Sequence, residues 1–295
     1  MDTHLLRTFA AVARLGSFSA AAAELGYTQA AVSQQIAALE SDLKAALLNR
    51  RPVTPTEAGA RLLEHVAAIL LRLDAARADV ARMTSAPSAS LTVGLTPLAG
   101  GSPAVALALA ALRRQMPRAE VSVRVGGRGD VATGVARGEF DIGLIDGLTA
   151  PGDSLPVLVS EHASGVAQAE VLVVLPAGHP LARRAGVHLA DLVDARWIEA
   201  ADVAPPLSDV RRVAGLDGFR AAFRYDGTDT LSLIRLAATG QGLTLLPGTA
   251  LPAAMGFSAV PLTAPRVLHR VELVHGTLAA GSPAAVLAGL LSPRG

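Results

Sequence analysis

Apolar residues recur through residues 1 to about 58 at intervals that predict short helices separated by turn residues. Leu5, Phe9 and Val12 mark one face of a first helix; Ser17 or Ser19 can cap a second, which Gly26 ends; Thr28 can cap a third. In the third helix Val32, Ile36, Leu39 and Leu43 follow one another at spacings of four, three and four, a single buried stripe. A longer helical pattern opens at TPTEAG, with Thr56 as its N-cap. Within it Leu62, Val66, Ile69, Leu73, Ala76 and Val80 alternate spacings of four and three. Such a seam suits pairing with another helix, most simply the same helix of a second subunit; the alternative is an amphipathic helix lying on its own domain. TSAPSAS, Thr84 to Ser90, breaks the pattern and predicts a linker. From Leu91 the texture changes to LTVGL, a helix through Ala104 to Gln115, VSVRV, a short helix, DIGLI, then EVLVVLP, RWIEA and GLTLLP. Alternation of this kind predicts parallel sheets with covering helices, in a stretch long enough for two lobes.

Composition narrows the function classes. The chain has 295 residues, 51% hydrophobic and 17% charged, enough for more than one core. It lacks an uninterrupted apolar run of about 18 residues, so a membrane span is not expected. MDTHLLRTF has neither the basic start nor the apolar stretch of a signal peptide, and a cytoplasmic protein fits best. The absence of Cys removes disulfides, thiolate metal sites and thiol redox sensing together. The formal net charge of +1 hides any local arrangement. Residues 1 to 87 carry nine basic side chains against eight acidic ones, so one copy of this region would hold a polyanion weakly and two copies would be needed. Lys44 is the only lysine. No hydrolase elbow, phosphate-binding loop or zinc-protease motif is present, and the histidines at 4, 65, 162, 179, 188, 269 and 275 show no metal-ligand spacing. Neither a metal nor a cofactor is expected.

SAAAAEL-GYT-QAAVSQQI, two helices about a tight turn, is a helix-turn-helix plan, and the small side chains of Ala20 to Ala23 let the first helix cross the second closely. On the second helix the buried stripe leaves Gln29, Ala30, Ser33 and Gln34 on the opposite face, with Thr28 at the helix start counted among them. These are groove-reading positions: Gln can bridge adenine, Ser can bond a base or phosphate, and Ala can touch a thymine methyl. Arg50 and Arg51, beside Pro52, are the expected phosphate contacts.

The segment from LLRTFAAVARLGSFSAAAAELGYTQAAVSQQIAALESDL to TEAG resembles the N-terminal domain of the LysR-type transcriptional regulators. The long helix and the α/β region follow that family's order over essentially the full length, and VARGEFDIGL, GHPLA, VHLADLVDARWI and AATGQGLTLLP are similar to recurring pieces of its effector domain. The resemblance implies an α + α/β fold: an N-terminal winged helix-turn-helix over residues 1–58, a linker and dimerisation helix with hinge over 59–86, and a two-lobed, periplasmic-binding-protein-like effector domain over 87–295. Lobe I would take about 90–162 and 266–295, and lobe II about 163–265. The implied partners are double-stranded DNA with a two-fold repeated promoter site, a small-molecule effector and further copies of the chain, as homodimer or homotetramer. Lys44 and Leu48 depart from the family's usual Gly and Phe, and NRRPVTPTEAG is about two residues shorter than its common wing.

Ligands of such folds bind beyond the C-terminal ends of parallel strands, where helix N-termini offer free N–H groups. Three strand ends suggest themselves: GLTPLAGGS, GGRGD, and Asp146 after DIGLI; the opposite lobe offers PPLSD and YDGTDT. The expected effector contacts are Thr96, Leu98, Arg128, Asp146, Leu207, Ser208 and Thr228. If Arg128 and Asp146 both face the cleft, the pair suits a zwitterion such as an amino acid. The same segment carries a rival. Gly127-x-Gly129-x-x-Ala132 follows a strand, and Asp146 falls nineteen residues after Gly127, as in a dinucleotide-binding fingerprint. An NAD-dependent oxidoreductase would use it, although residues 1 to 83 would then have no role. A solute-binding protein is the third reading. The preferred expectation is a DNA-binding transcriptional regulator, without enzymatic activity, that responds to a small effector.

Overall fold

The computed structural model describes residues 2–84, 90–156, 162–253 and 256–292. Two compact units divide the chain between Ala76 and Arg77. The linker expected at Thr84 to Ser90 lies, but for its two end residues, outside the described residues.

In the first unit each turn residue does what its chemistry favours. Helix α1 (Thr3–Leu15) is capped by Asp2, whose carboxylate accepts from the His4 N–H, and ends at Gly16 with φ 59°. Helix α2 (Phe18–Leu25) takes Ser17, not Ser19, as its cap and ends at Gly26 with φ 71°. Thr28 caps α3 (Gln29–Leu43) by accepting from the Ala31 N–H. Leu6, Phe9 and Val12 are fully buried against Ala21, Ala22 and the α3 stripe. That stripe stops at Leu39, because Leu43 is 38% exposed. Ala21 and Ala22 supply the close helix crossing, whereas Ala20 and Ala23 face outward.

Helix α3 ends on Lys44 with φ 52°, a left-handed conformation that costs an L-residue about 1 kcal/mol and glycine almost nothing. Lys44→Gly is therefore expected to stabilise the first unit by about 1 kcal/mol, read as a raised urea midpoint at unchanged slope. An unchanged or lowered midpoint would show that Lys44 offsets its strain by other contacts. Beyond it, β1 (Leu48–Arg50) and β2 (Val53–Pro55) pair antiparallel as a hairpin turning at Arg51 and Pro52.

Helix α4 (Glu57–Thr84) departs from a free seam. Val66 is part of the first unit's core, and Leu62 and Ile69 pack on it together with Leu63 and Leu70. Toward the C-terminal end Ala76 is exposed and Val80 is 62% exposed. The first half thus lies on its own domain, and further on Ala76 and Val80 face outward. No described helix is long and apolar enough to cross a membrane.

The second unit is built on β3 (Ser90–Leu95), α5 (Pro97–Gly100), α6 (Pro103–Gln115), β4 (Glu120–Val125), α7 (Arg128–Arg137), β5 (Ile142–Thr149), β6 (His162–Pro176), β7 (Val187–His188), β8 (Trp197–Glu199), α8 (Leu207–Ala214), β9 (Ala221–Arg224), α9 (Thr230–Ala238), β10 (Thr244–Pro247), β11 (Phe257–Ala264), β12 (Leu268–His275) and α10 (Pro283–Leu291). The expectation of parallel sheets is met only in part. Strand β3 pairs parallel with β4 and β5, but β12 runs antiparallel to both β5 and β6. The resulting sheet has the order β4-β3-β5-β12-β6-β11-β7, with β10 also on β6. Strand β6 is shared: its residues up to Glu170 pair with β12, and from Val171 on they pair with β10 and β11. One core gathers under β3, β5 and β12 around Leu91, Leu112, Ile142 and Leu287. Another gathers around Val173, Trp197, Phe219 and Leu245.

Candidate functional site

On the first unit, Gln29, Ala30 and Gln34 are exposed on α3 and Ser33 is half-buried, so they share the face opposite Val32 and Ile36. The Thr28 hydroxyl is occupied as cap acceptor. The Gln29 side-chain carbonyl accepts from the Ser19 hydroxyl at 3.1 Å, which fixes the side chain and leaves its NH2 outward. The two wing arginines are not equivalent. Arg50 donates to Glu40 Oε2 at 3.0 Å and lies over the Phe18 ring, 5.2 Å from its centroid. Glu40 Oε1 also accepts from the Leu47 and Leu48 N–H groups at 2.9 and 3.2 Å. Glu40 thereby ties the wing to α3, and Arg50 is part of the tie. Arg51, exposed at the hairpin tip, makes no hydrogen bond or ion pair among the described residues.

In the second unit the expected effector residues separate into three groups. Thr96, Arg128 and Asp146 line one cavity, together with Gly147 and the stretch from Ala201 to Pro206. Leu98 is buried in a cluster with Val174, Ile198 and Leu233, and lines a second cavity. Leu207 is a correction: it is buried in the core with Trp197 and Val210, because it opens the amphipathic α8 on the inward side. Ser208, next to it, is exposed, as is Thr228. Neither lines a described cavity. Beside Thr228, the Asp229 carboxyl is held below the usual range by the Ser232 hydroxyl, then by the Ser232 and Leu231 N–H groups and the Arg235 charge, as an N-cap of α9.

The first cavity is already filled by the protein's own charges. Its free volume is about 20 Å³, close to what one water molecule needs. Arg128 donates through Nη2 to Asp209 Oδ2 on α8 at 2.9 Å, while Asp209 Oδ1 pairs with Arg212 at 3.3 Å. Gly147 makes room for this, since a Cβ there would stand 2.6 Å from Arg128 Nη1. That Nη1 is buried without a hydrogen-bond partner among the described residues. Asp146 is not at a strand end but inside β5, opposite Val271 of β12. It accepts from the Thr96 hydroxyl through Oδ1 and bonds His269 Nε2 through Oδ2 at 2.8 Å. Arg128 and Asp146 share a cavity, as a zwitterion site would require, but each is paired within the protein.

The same geometry removes the dinucleotide reading. Gly127 does N-cap α7, yet a methyl on it would collide with the Asp202 carboxylate, so an anionic group covers the place a pyrophosphate would take. Asp146, the expected ribose partner, is nine-tenths buried and turned to Thr96 and His269. His269 and Asp209 are the two site residues that spacing did not single out. His269 sits in β12, where VLHRVEL sets two apolar and then two polar residues side by side, so neither it nor Asp209 carries an alternation signal.

Two family models match the chain: "Bacterial regulatory helix-turn-helix protein, lysR family" over residues 3–60, and "LysR substrate binding domain" over residues 84–287. A probable hydrogen peroxide-inducible genes activator of Mycobacterium avium is 31% identical over 277 residues, spanning 91% of this chain and 86% of that protein. The uncharacterized HTH-type transcriptional regulator YnfL of Escherichia coli strain K12 is 30% identical over 256 residues, 83% and 81% of the two chains. Among solved structures, full-length BenM superposes with a TM-score of 0.54 at 22% identity, covering 99% of this chain and 95% of that one.

Proposed function

The chain belongs to the LysR family of transcriptional regulators, and from that premise we propose a promoter-binding regulator that reads DNA with α3, holds phosphate with Arg51, and responds to a small molecule bound between its two lobes. The observation that carries the DNA half is the α3 surface: Gln29, Ala30 and Gln34 stand exposed at the start of a capped helix, beside a hairpin whose tip cation has no partner among the described residues. A single copy brings few phosphate contacts, so the working form is at least a dimer, paired through the outward apolar positions of α4 up to Val80 and seated on a two-fold repeated site. The place of work is the cytoplasm, where the promoter is. No step of bond chemistry is assigned to the protein. The Mycobacterium avium relative is named for peroxide induction; this chain has no Cys, so a thiol cannot be its sensor. Effector binding changes promoter activity only if the ligand has different affinity for the two quaternary states, whose difference is read out as DNA spacing or bend.

Footprinting on the DNA upstream of its own gene tests this, and a folded protein that protects no site there or at any other promoter would overturn it. Arg51→Ala is expected to weaken binding to every sequence and to lower the slope of log affinity against log salt by about one. Gln29→Ala should instead relax the base preference at one half-site position, about 1–3 kcal/mol of discrimination. Equal losses on all sequences from both variants would remove Gln29 from base reading.

A further inference from the structure

The His269–Asp146 pair separates two cavities. Behind Asp146 is the one closed by Arg128 and Asp209; on the imidazole side is a larger one of about 200 Å³, between the start of α6 and strands β6 and β12. We propose that this larger cavity binds a small monocarboxylate with a short apolar tail, the carboxylate held by Ser102, His269 and the N-terminus of α6. The assignment rests on the regulator reading only for its consequence at the promoter.

Three observations meet there. Ser102 is the N-cap of α6, but its hydroxyl makes no capping hydrogen bond and no other among the described residues, although the residue is only 6% exposed. Capping serines elsewhere in the chain, Ser17 and Ser282, do use theirs. His269 is 3% exposed; its Nε2 is spent on Asp146, and the other ring nitrogen, Nδ1, has no partner among the described residues. Neither polar atom has a partner among the described residues, so each is open to one supplied from outside the protein. Both side chains line the cavity.

The sign of the ligand follows from the walls. No Asp or Glu lines this cavity. Helix α6 spans thirteen residues and presents about half a positive charge at its first turn. His269 is held by Asp146 through Nε2, which leaves Nδ1 as its remaining hydrogen-bonding atom. A cationic head would be repelled by the helix end. Leu98, Pro103, Ala104, Ala167, Ala169 and Val271 make the apolar part of the remaining wall, and Gln168 and Thr249 add two uncharged polar side chains. A cavity of about 150 Å³ holds a benzene-sized molecule, so this one suits about eight non-hydrogen atoms, the size of pentanoate or hexanoate. Arg128, bonded to Asp209, is not the carboxylate receptor in this arrangement.

Isothermal titration of the full-length protein with pentanoate and hexanoate, against 1-pentanol and pentylamine, tests the assignment. The carboxylates are expected to bind and the alcohol and amine not. Ser102→Ala should weaken hexanoate about tenfold, as should His269→Asn. Ala169→Leu fills the cavity while keeping every polar group, and should abolish binding; this variant and Ser102→Ala retain the His269–Asp146 bond, so the outcome does not hang on whether His269→Asn folds. Absence of carboxylate binding to the wild-type chain would overturn the proposal, as would unchanged affinity in Ser102→Ala and Ala169→Leu. A parallel gel shift on promoter DNA separates the two readings. DNA binding without carboxylate binding removes the cavity assignment alone, and carboxylate binding by a protein that shifts no promoter DNA removes the regulator reading alone.

Discussion

Replacing Gly59 with alanine is expected to unfold the first unit under conditions where the second stays folded. Helix propensity by itself predicts the reverse, a gain of about 1 kcal/mol for alanine over glycine inside a helix. The first turn of α4, however, is pressed against the backbone of Leu47. The Thr56 N–H donates to the Leu47 carbonyl at 2.9 Å, and the Thr56 hydroxyl donates to the Ala46 carbonyl at 2.7 Å while accepting from the Gly59 N–H at 3.0 Å. A methyl on Gly59 would overlap the Leu47 carbonyl oxygen and stand 3.0 Å from its carbon. These are backbone atoms, so no rotamer change relieves the clash. The start of α4 must lift, and Val66 and Leu62 come out of the core with it. The net cost is about 3 kcal/mol, a large share of the roughly 5–15 kcal/mol that holds a domain folded. Urea denaturation should show a separate early transition, with loss of promoter binding; a midpoint at the wild-type value would mean that the close approach does not decide the packing.

The second large effect is expected from Asp209→Ala. Asp209 is nearly buried and answers two guanidinium groups, Arg128 and Arg212. Removing it leaves Arg128 with neither terminal nitrogen bonded, since Nη1 already has no partner. Breaking a buried ion pair from one side costs about 3 kcal/mol, most of it from the charge left behind. The melting temperature of the second unit should fall, and amide exchange should accelerate in α7 and α8. Arg128→Ala combined with Asp209→Ala should cost clearly less than the sum of the two single changes, because no buried charge is then stranded. Strict additivity would show that the pair does not bridge the lobes in solution.

Much of the first unit was legible because its signals are local. Ser17 and Thr28 cap by hydrogen bonds within three residues, and the Val32, Ile36, Leu39 stripe needs only helical period to be read. Lys44 marks the limit of such reading: the sequence departs from glycine there, yet the backbone still takes the glycine conformation. The wing shows the same limit differently. Arg50 and Arg51 are neighbours in sequence, and only the position of Glu40 and Phe18 tells which one is engaged. In the second unit the strands that read as continuous apolar runs were visible, while β12 was not, since its polar residues, His269, Arg270 and Glu272, bond to other side chains and break the run. Asp146 looked like a strand end because the pairing that prolongs β5 comes from β12, more than a hundred residues later. Leu207 belongs to the core because the loop through Pro206 lines the cavity while α8 turns its apolar side inward.

Strand β12 also governs the order in which the molecule can be made. It is the last of the described strands to leave the ribosome, and it lies in the middle of the sheet, between β5 and β6. Until residues 268–275 are available, a growing chain holds two half-sheets with bare facing edges, and such edges invite pairing with the wrong neighbour. The loop it must close is long, which makes its docking a late and slow event in folding. A chain cut just before Leu268 would therefore be more than a regulator missing its tail: it would be two unfinished sheets with an open seam between them.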